Sequence, residues 1–461
     1  MLYRTEYAEN PQKSRQKKSN HMKKSILFLV FACSIYSYGA TAAKTQQVKR
    51  YAISETAILN RFLDYVAIES ASFYPTADEY PMTDGQKAMG ERLAADAKKL
   101  NADVTFSEWG YVYVNIPSNV KKQVPTIGVV CHMDITPETP SKGIKPKVLK
   151  YEGGIINLGN GIIDPNTPQG ADLNSLIGKT LIHTDGTTIL GGDDKNGCAI
   201  LMSIIETVQK KGFKHGPLQF VFCPNEDVGL AALKIDTTYF NPDILIDVDL
   251  DGGQKVAVSN FTAEGLKVRF VGNDVHPAAA KELHLADALA AVSTYIARMP
   301  LQYRPENTEG KQGYIQAYQL EQLSDKVSYT IETRIRYFDK KEGDEFNRIL
   351  RENLQYVRES FPYVKVEIMN EGLQYANVEY TMHPQSIPLI KAAATRCQIE
   401  LDFEDLRAGT TAAMLSTKGL PGGMSLFSGQ HNEHSVYEYS VLEEMYDTYI
   451  LLLTMIDEIQ K

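Results

Sequence analysis

Short apolar segments that alternate with an amphipathic one place the strongest limit on how this chain folds. The segments PTIGVVCH, LQFVFC and DILIDV, at residues 125–132, 218–223 and 243–248, are almost entirely apolar. Such runs are typical of strands that are covered on both faces of a sheet. Between the first two lies CAILMSIIETVQKK, residues 198–211, whose apolar residues recur with helical spacing. Alternating strands and helices of this kind predict an α/β fold with a mainly parallel sheet.

The pattern changes near residue 260 and changes back about 110 residues later. Within residues 261–372, the strand-like segments alternate polar and apolar residues and are separated by two amphipathic helices. That alternation predicts a small α+β domain whose sheet leaves one face open. We therefore expect residues 44–260 and 373–461 to form one discontinuous domain, into which residues 261–372 are inserted.

The first 43 residues are predicted to be an upstream segment and a signal peptide. From Met22 the chain has two lysines, a short apolar stretch and small residues ending at Ala42, which is the layout of a secretory signal. The apolar stretch is too short to span a membrane. We therefore expect an exported, periplasmic protein without a transmembrane span. Lipid attachment at Cys33 is an alternative to cleavage after Ala42.

Composition excludes some classes of function. The 461 residues carry a net charge of −9, and no basic tract follows the first 43 residues, so nucleic-acid binding is not expected. The four later cysteines lack the paired spacing of a disulfide framework. We expect free thiols at Cys131, Cys198, Cys223 and Cys397.

Acidic residues and a histidine follow several of the predicted strands. They are His132 and Asp134, Asp193 and Asp194 in a glycine-framed turn, Glu226 and Asp227, and Asp251. The carboxyl ends of parallel strands share one edge of a sheet, where ligands bind. So many carboxylates at one edge are unfavourable unless a cation neutralises them. Histidine and carboxylate ligands suit Zn, Mn or Co, so the pattern predicts a metal site.

The order of these motifs resembles the peptidase T branch of the co-catalytic dizinc exopeptidases. The matching stretches are HMDITPE, GGDDKNG, PNEDVG, GNDVHP, YRPENTEG and HSVYEYS. The resemblance implies a zinc-exopeptidase catalytic domain with an inserted α+β lid and dimerisation domain. It also implies an aminopeptidase that acts on short peptides, above all tripeptides, with two Zn ions per chain (or Mn or Co) and a homodimer formed through the lid.

The resemblance assigns five metal ligands. Asp193 would bridge both ions, His132 and Asp251 would complete one site, and Asp227 and His434 would complete the other. His434 is preferred to the nearby His431 because its spacing from Phe427 and Glu438 is that of the family.

The resemblance also assigns residues that act on the substrate. Glu226 would be the general base for a water activated by both metals, and Asp134 would orient His132. His276 in GNDVHP would reach the substrate carbonyl, in this family often from the other subunit. Arg336 in IRYFD would hold a substrate carboxylate.

Three positions depart from the family, the mildest being DVHPA at residues 274–278 in place of NVHPG, and other functions stay open. The usual Glu-Glu pair is Glu226-Asp227 here, so either the loop shifts or the second metal is bound differently. The usual GGTDG is AGTTA, with Thr411 in place of aspartate. The alternatives are a dipeptidase, a carboxypeptidase or an N-acyl amino acid amidohydrolase of the same fold, and a non-catalytic peptide-binding protein.

Overall fold

The computed structural model describes residues 48–74 and 82–461. The predicted signal segment, residues 1–43, lies outside the described residues. By its internal contacts the chain divides into two units, Met1–Ala52 and Ile53–Lys461, and everything below concerns the second. Within the described residues, no helix combines the length and the apolar character needed to cross a bilayer.

The strands and helices are numbered in chain order. The strands are β1 (Asp103–Phe106), β2 (Val112–Ile116), β3 (Ile127–His132), β4 (Lys147–Lys150), β5 (Ile156–Asn157), β6 (Ile162–Ile163), β7 (Thr180–His183), β8 (Leu218–Cys223), β9 (Ile244–Leu250), β10 (Lys255–Asn260), β11 (Thr262–Val271), β12 (Tyr314–Gln322), β13 (Tyr329–Tyr337), β14 (Lys365–Tyr375), β15 (Asp402–Leu406), β16 (Gly423–Phe427), β17 (Gln430–His431) and β18 (Tyr439–Val441). The helices are α1 (Glu55–Val66), α2 (Asp84–Lys99), α3 (Gly192–Val208), α4 (Ala288–Ala297), α5 (Lys340–Ser360), α6 (Ser386–Cys397), α7 (Thr411–Ser416) and α8 (Leu442–Glu458).

The central sheet has eight strands among the described residues, in the order β1-β2-β8-β3-β9-β16-β10-β15. Its middle strands β8, β3, β9 and β16 are parallel neighbours, whereas β1, β2 and β10 add antiparallel pairs. All six residues of β3 are buried, as its continuous apolar sequence predicts. The predicted α/β fold is confirmed, and four of the seven pairs of neighbouring strands in this sheet are parallel.

Helix α3 positions the carboxyl edge of this sheet. It contacts β3 and β9 and packs between α1 and α8, and sixteen of its seventeen residues are buried. Gly197 allows the close approach, because a Cβ there would lie 2.7 Å from the carbonyl oxygen of Val248 in β9. The first turn of α3 therefore lies directly against the strand that follows β3 in the sheet.

A second, fully antiparallel sheet contains the strands β12-β13-β11-β14. Helices α4 and α5 cover one of its faces through an apolar cluster that includes Phe270, Tyr295, Ile331 and Phe346. Most residues of β12 are exposed at the sheet edge, so burial leaves little signal for this strand in the sequence. The assignment of residues 261–372 to a separate lid domain stays a prediction.

A third, small sheet contains the strands β17-β18-β7-β4. Strand β7 leads into the turn before α3, and β17 and β18 border the loop of residues 432–438. Because β18 pairs with β7, the loop that carries His434 is held near the turn that carries Asp193. The four cysteines predicted to be free thiols form no disulfide within the described residues.

Candidate metal centre

The register of the central sheet brings the first pair of potential metal ligands together. Strand β3 pairs in parallel with β9, with Val130 opposite Asp247. Two residues further along both strands, the same register places His132 beside Asp249. Successive residues of a strand point to opposite faces, so this register places both side chains on one face of the sheet.

His132 is the centre of the first cluster of side chains. Its Nε2 lies 2.8 Å from Oδ1 of Asp193 and 3.7 Å from Oδ1 of Asp249. Its Nδ1 lies 3.4 Å from Oδ1 of Asp134. The imidazole is 1% exposed, so its orientation is set by these carboxylates rather than by water.

Asp251, which the resemblance assigned to this cluster, lies elsewhere. Its carboxylate is 46% exposed and lies 3.5 Å from Nζ of Lys255. The physical reason is the strand itself, because Asp251 follows the last residue of β9 and is two residues beyond the position that faces His132. The structure brings Asp249 to His132 instead. The sequence offered a signal in the alternation DVDLD, but that pattern does not choose among its three aspartates.

His434 is the centre of a second cluster. Its Nε2 lies 2.8 Å from Oδ1 of Asp227 and 3.1 Å from Oδ2 of Asp193. Asp193 therefore directs one carboxylate oxygen toward each histidine, His132 through Oδ1 and His434 through Oδ2. Aspartate is one methylene shorter than the glutamate usual in the family, but the Asp227 side chain still reaches His434.

Three overlapping groups of potential ligands follow from these contacts. In each group the ligand atoms lie within 4.8 Å of one another, and the groups are His132 with Asp193 and Asp249, Asp193 with Asp227 and His434, and His132 with Glu226 and Asp227. The residues fit a pair of divalent cations, because histidine nitrogens and carboxylate oxygens are suitable ligands. Among the described residues, Oδ2 of Asp227 is buried without a hydrogen-bond partner, and an oxygen of this kind can donate a lone pair to a bound cation.

Electrostatics supports the same conclusion. Burial and the neighbouring Asp193 raise the pKa of Asp227 to about 7, and burial raises the pKa of Asp249 well above its usual value. Hydrogen bonds that His434 donates to the carboxylates of Asp193 and Asp227 raise its pKa to about 11. Carboxylates this close repel one another unless positive charge is present, so bound cations would relieve the repulsion.

Glu226 stands at the edge of the cluster and is half-buried. Burial, with Asp134 and Asp193 nearby, raises the pKa of its carboxyl. Its Oε1 accepts a hydrogen bond from the Thr411 hydroxyl at 3.2 Å. Asp134 holds the backbone of the same turn, since its carboxylate accepts from the amides of Glu226 at 2.9 Å and Asp227 at 3.3 Å.

Glu438 supports the turn before α3, a role that motif matching did not reveal. Its buried carboxylate accepts hydrogen bonds from the amides of Leu190 at 2.8 Å, Gly191 at 2.7 Å and Asp193 at 2.9 Å. Burial raises the pKa of Glu438 to about 8, although these amides act in the opposite direction. The contact fixes the backbone that presents Asp193.

The two predicted substrate residues lie outside the three ligand groups. His276 is exposed, and its Nδ1 accepts from the amide of Ala278 at 3.2 Å. Arg336 donates from Nη1 to the carbonyl oxygens of Glu264 and Ile335 at 3.2 and 3.0 Å. Their roles stay predictions.

Fold and site together define an α/β protein with a centre suited to divalent cations, and similarity to known enzymes makes it a metal-dependent aminopeptidase. The chain is 33% identical to peptidase T of Escherichia coli (strain SE11), over 84% of this chain and 95% of that protein. On this similarity the chain belongs to the peptidase T family.

A family profile matches part of the chain, and two solved structures share its fold. The profile of the M42 glutamyl aminopeptidase family matches residues 180–285. The aminopeptidase PepT of Bacillus cereus superposes with a TM-score of 0.68 at 20% identity, covering 89% of this chain and 100% of that one. A tripeptidase of Staphylococcus aureus superposes with a TM-score of 0.67 at 18% identity, covering 88% and 99%.

The prediction of an exported, periplasmic protein is wrong. It depended on the signal-like residues 22–43 alone, and nothing in the relationship to peptidase T points to export. Those residues also lie outside the described part of the chain.

Proposed function

We propose that this protein releases the N-terminal residue from short peptides, tripeptides above all, with two divalent metal ions bound per chain. The observation that carries the proposal is Asp193, whose two carboxylate oxygens face His132 and His434 separately. A carboxylate shared in this way suits two cations rather than one. The relatives named peptidase T and tripeptidase support the substrate class.

The ligands of the first ion would be His132, Asp193 and Asp249. Asp193, Asp227 and His434 would hold the second ion, and Asp249 takes the place first assigned to Asp251. Zn, Mn and Co all suit this set of nitrogen and oxygen atoms. When bound, such cations polarise a peptide carbonyl and lower the pKa of a water.

Glu226 would move the proton in this reaction. It stands next to the proposed ligand Asp227, and its Oε1 accepts a hydrogen bond from the Thr411 hydroxyl. As general base it would take a proton from the attacking water and then give that proton to the leaving amine. Its raised pKa brings it closer to neutral pH, where both transfers are favourable.

The antiparallel sheet and its two helices would act as a lid. In this proposal the lid closes over the peptide and excludes water, Arg336 binds the peptide's terminal carboxylate, and His276 reaches the substrate carbonyl from the second subunit of a homodimer. Support for the lid comes from Tyr375 in β14, whose ring lies against Gly409, two residues before Thr411.

The test compares Glu226→Gln with Glu152→Gln, a change at an exposed glutamate. Both proteins are loaded with Zn or Mn, their metal content is measured, and hydrolysis of a tripeptide, a dipeptide and an N-acyl amino acid is followed. We expect Glu226→Gln to keep its metal and lose about 10²–10⁴-fold in kcat, with Glu152→Gln unchanged. Equal activity in both variants rules out the role of Glu226, and preference for the N-acyl amino acid rules out the substrate class.

A further inference from the structure

The open face of the antiparallel sheet contains a hollow of about 320 Å³ beside Arg334. Across the sheet, Arg334 of β13 pairs with Gly265 of β11, which pairs in turn with Gly372 of β14. These three residues form one row, and two of them have no side chain. Gly372 has φ +147°, a conformation that favours glycine. The two glycines therefore leave a depression whose wall is formed by Arg334.

Four charged residues line the hollow: Lys267, Glu332, Arg334 and Glu371. Glu371 pairs with Arg351. Lys267 lies 2.7 Å from one oxygen of Glu332, and the Tyr318 hydroxyl donates to the other oxygen at 2.7 Å. Both oxygens of Glu332 are thus already bound. The Arg334 guanidinium lies 3.8 Å from the centre of the Tyr318 ring, and no carboxylate of the described residues lies within 4.0 Å of it. A stacked guanidinium presents its donors in a fixed plane, so this cation is oriented for an anionic ligand.

A series of contacts leads from Arg336, the neighbour of Arg334 on this face, to the proposed catalytic centre. Arg336 lies two residues further along β13 on the same face, about 7 Å away at the usual rise of a strand. Its guanidinium is 5.8 Å from the centre of the Tyr375 ring, and a Cβ on Gly409 would lie 2.7 Å from that ring. Two residues after Gly409, the Thr411 hydroxyl contacts Glu226.

We propose that this hollow binds the side-chain carboxylate of an acidic residue at the C-terminus of the peptide substrate. The inference rests on the proposed function, in which Arg336 binds the terminal carboxylate. An aspartate or glutamate at that position has two carboxylates only a few bonds apart, and two arginines on one strand face match that separation. Arg334 pairs with the side-chain carboxylate in a bidentate manner, as guanidinium groups do. The substrate class is short peptides that end in glutamate or aspartate.

The experiment compares Ala-Ala-Glu with Ala-Ala-Gln, which differ in charge at the last side chain and little in shape. We expect the wild-type enzyme, loaded with Zn or Mn, to prefer Ala-Ala-Glu by about tenfold in kcat/KM, the effect of a charged hydrogen bond. Arg334→Gln removes the preference through a higher KM for Ala-Ala-Glu and leaves the constants for Ala-Ala-Gln unchanged. Arg348→Gln, an exposed change on the covered side at α5, keeps the preference.

Failure of the proposal and failure of the proposed function give different results. If Arg334→Gln retains the wild-type preference, or if the wild type has no preference for Ala-Ala-Glu, the hollow does not bind the acidic side chain. If the wild type cleaves neither peptide, the proposed function fails. In that case, calorimetric binding of the two peptides tests the role of the hollow independently of catalysis. Tighter binding of Ala-Ala-Glu that is lost in Arg334→Gln supports this role, and equal binding of the two peptides overturns it. Thermal unfolding checks that each variant is folded.

Discussion

Three aspartates along β9 and its end, Asp247, Asp249 and Asp251, have three different environments. Asp247 is buried, and its Oδ2 accepts from the amide of Ala412 at 3.1 Å, so it holds the start of α7. Asp249 faces His132, whereas Asp251 pairs with Lys255 at the surface. Asp247 and Asp249 lie two residues apart in β9 and so share one face, whereas Asp251 follows the end of the strand. Of the three, only Asp249 can act as a ligand of the proposed centre.

The assignment of Asp249 predicts a difference in metal content. Asp249→Asn is expected to lower the affinity for one of two metal ions by about 10–100-fold, because a charged ligand is replaced by a neutral one. Asp251→Asn is the matched control and is expected to keep both ions. Metal analysis after gel filtration measures the difference. Loss of an ion in Asp251→Asn, with Asp249→Asn unaffected, would restore the first assignment.

The Thr411 hydroxyl predicts a second difference at the residue scale. Thr411→Val keeps the shape of the side chain and removes the donor to Glu226, so kcat is expected to fall about tenfold with KM and metal content unchanged. Thr411→Ser retains a hydroxyl and is expected to remain close to wild type. Steady-state kinetics with a tripeptide measures both. A valine variant as active as the serine variant would show that the contact does not orient Glu226.

At the scale of elements, a buried ion pair joins β17 to α8. His431 directs Nε2 to Glu444 at 2.8 Å and Nδ1 to Asp172 at 3.5 Å, and its ring stacks on Tyr439 with centroids 4.7 Å apart. Lys179 lies 3.6 Å from the other oxygen of Glu444. Burial alone would lower the pKa of His431, but the two carboxylates raise it to about 9.

This pair predicts a pH dependence of stability. The pKa of His431 is higher in the folded protein, about 9, than its model value of 6.5, so the folded state binds the additional proton. The stabilisation, at most about 3 kcal/mol, is complete below pH 6.5 and is lost as the pH rises through 9. The free energy of unfolding of wild type and His431→Gln, measured from pH 6 to 10, should therefore converge at high pH. A difference that does not change with pH would contradict the ion pair.

At the scale of the whole molecule, the proposed dimer predicts that His276 acts in the active site of the other chain. His276 is exposed and lies outside the three ligand groups of its own chain, and the lid proposal has it act on the partner's substrate. Glu226 stays with its own metal centre. The two residues would then belong to one active site but to two different chains.

Mixing two inactive variants tests this arrangement. Glu226→Gln and His276→Ala are each expected to be inactive as pure proteins. After subunit exchange, mixed dimers have one site with both residues intact, so about one quarter of wild-type activity is expected in a C2 dimer. Gel filtration with light scattering establishes the oligomeric state. No recovery in a verified mixed dimer would place His276 in the site of its own chain.

The sequence by itself determined the fold class and most of the residues at the site. Continuous apolar runs such as β3 and β8 identify buried strands, because a strand that is covered on both faces needs apolar side chains on both. His132 ends the first of these strands, and Glu226 and Asp227 lie just after the second. Only the tertiary structure decided which aspartate of DVDLD faces His132, because the answer depends on the register between two strands far apart in the chain. The contact of Thr411 with Glu226, 185 residues away in sequence, was decided in the same way. Local patterns specify burial, whereas register and approach depend on how the whole sheet packs.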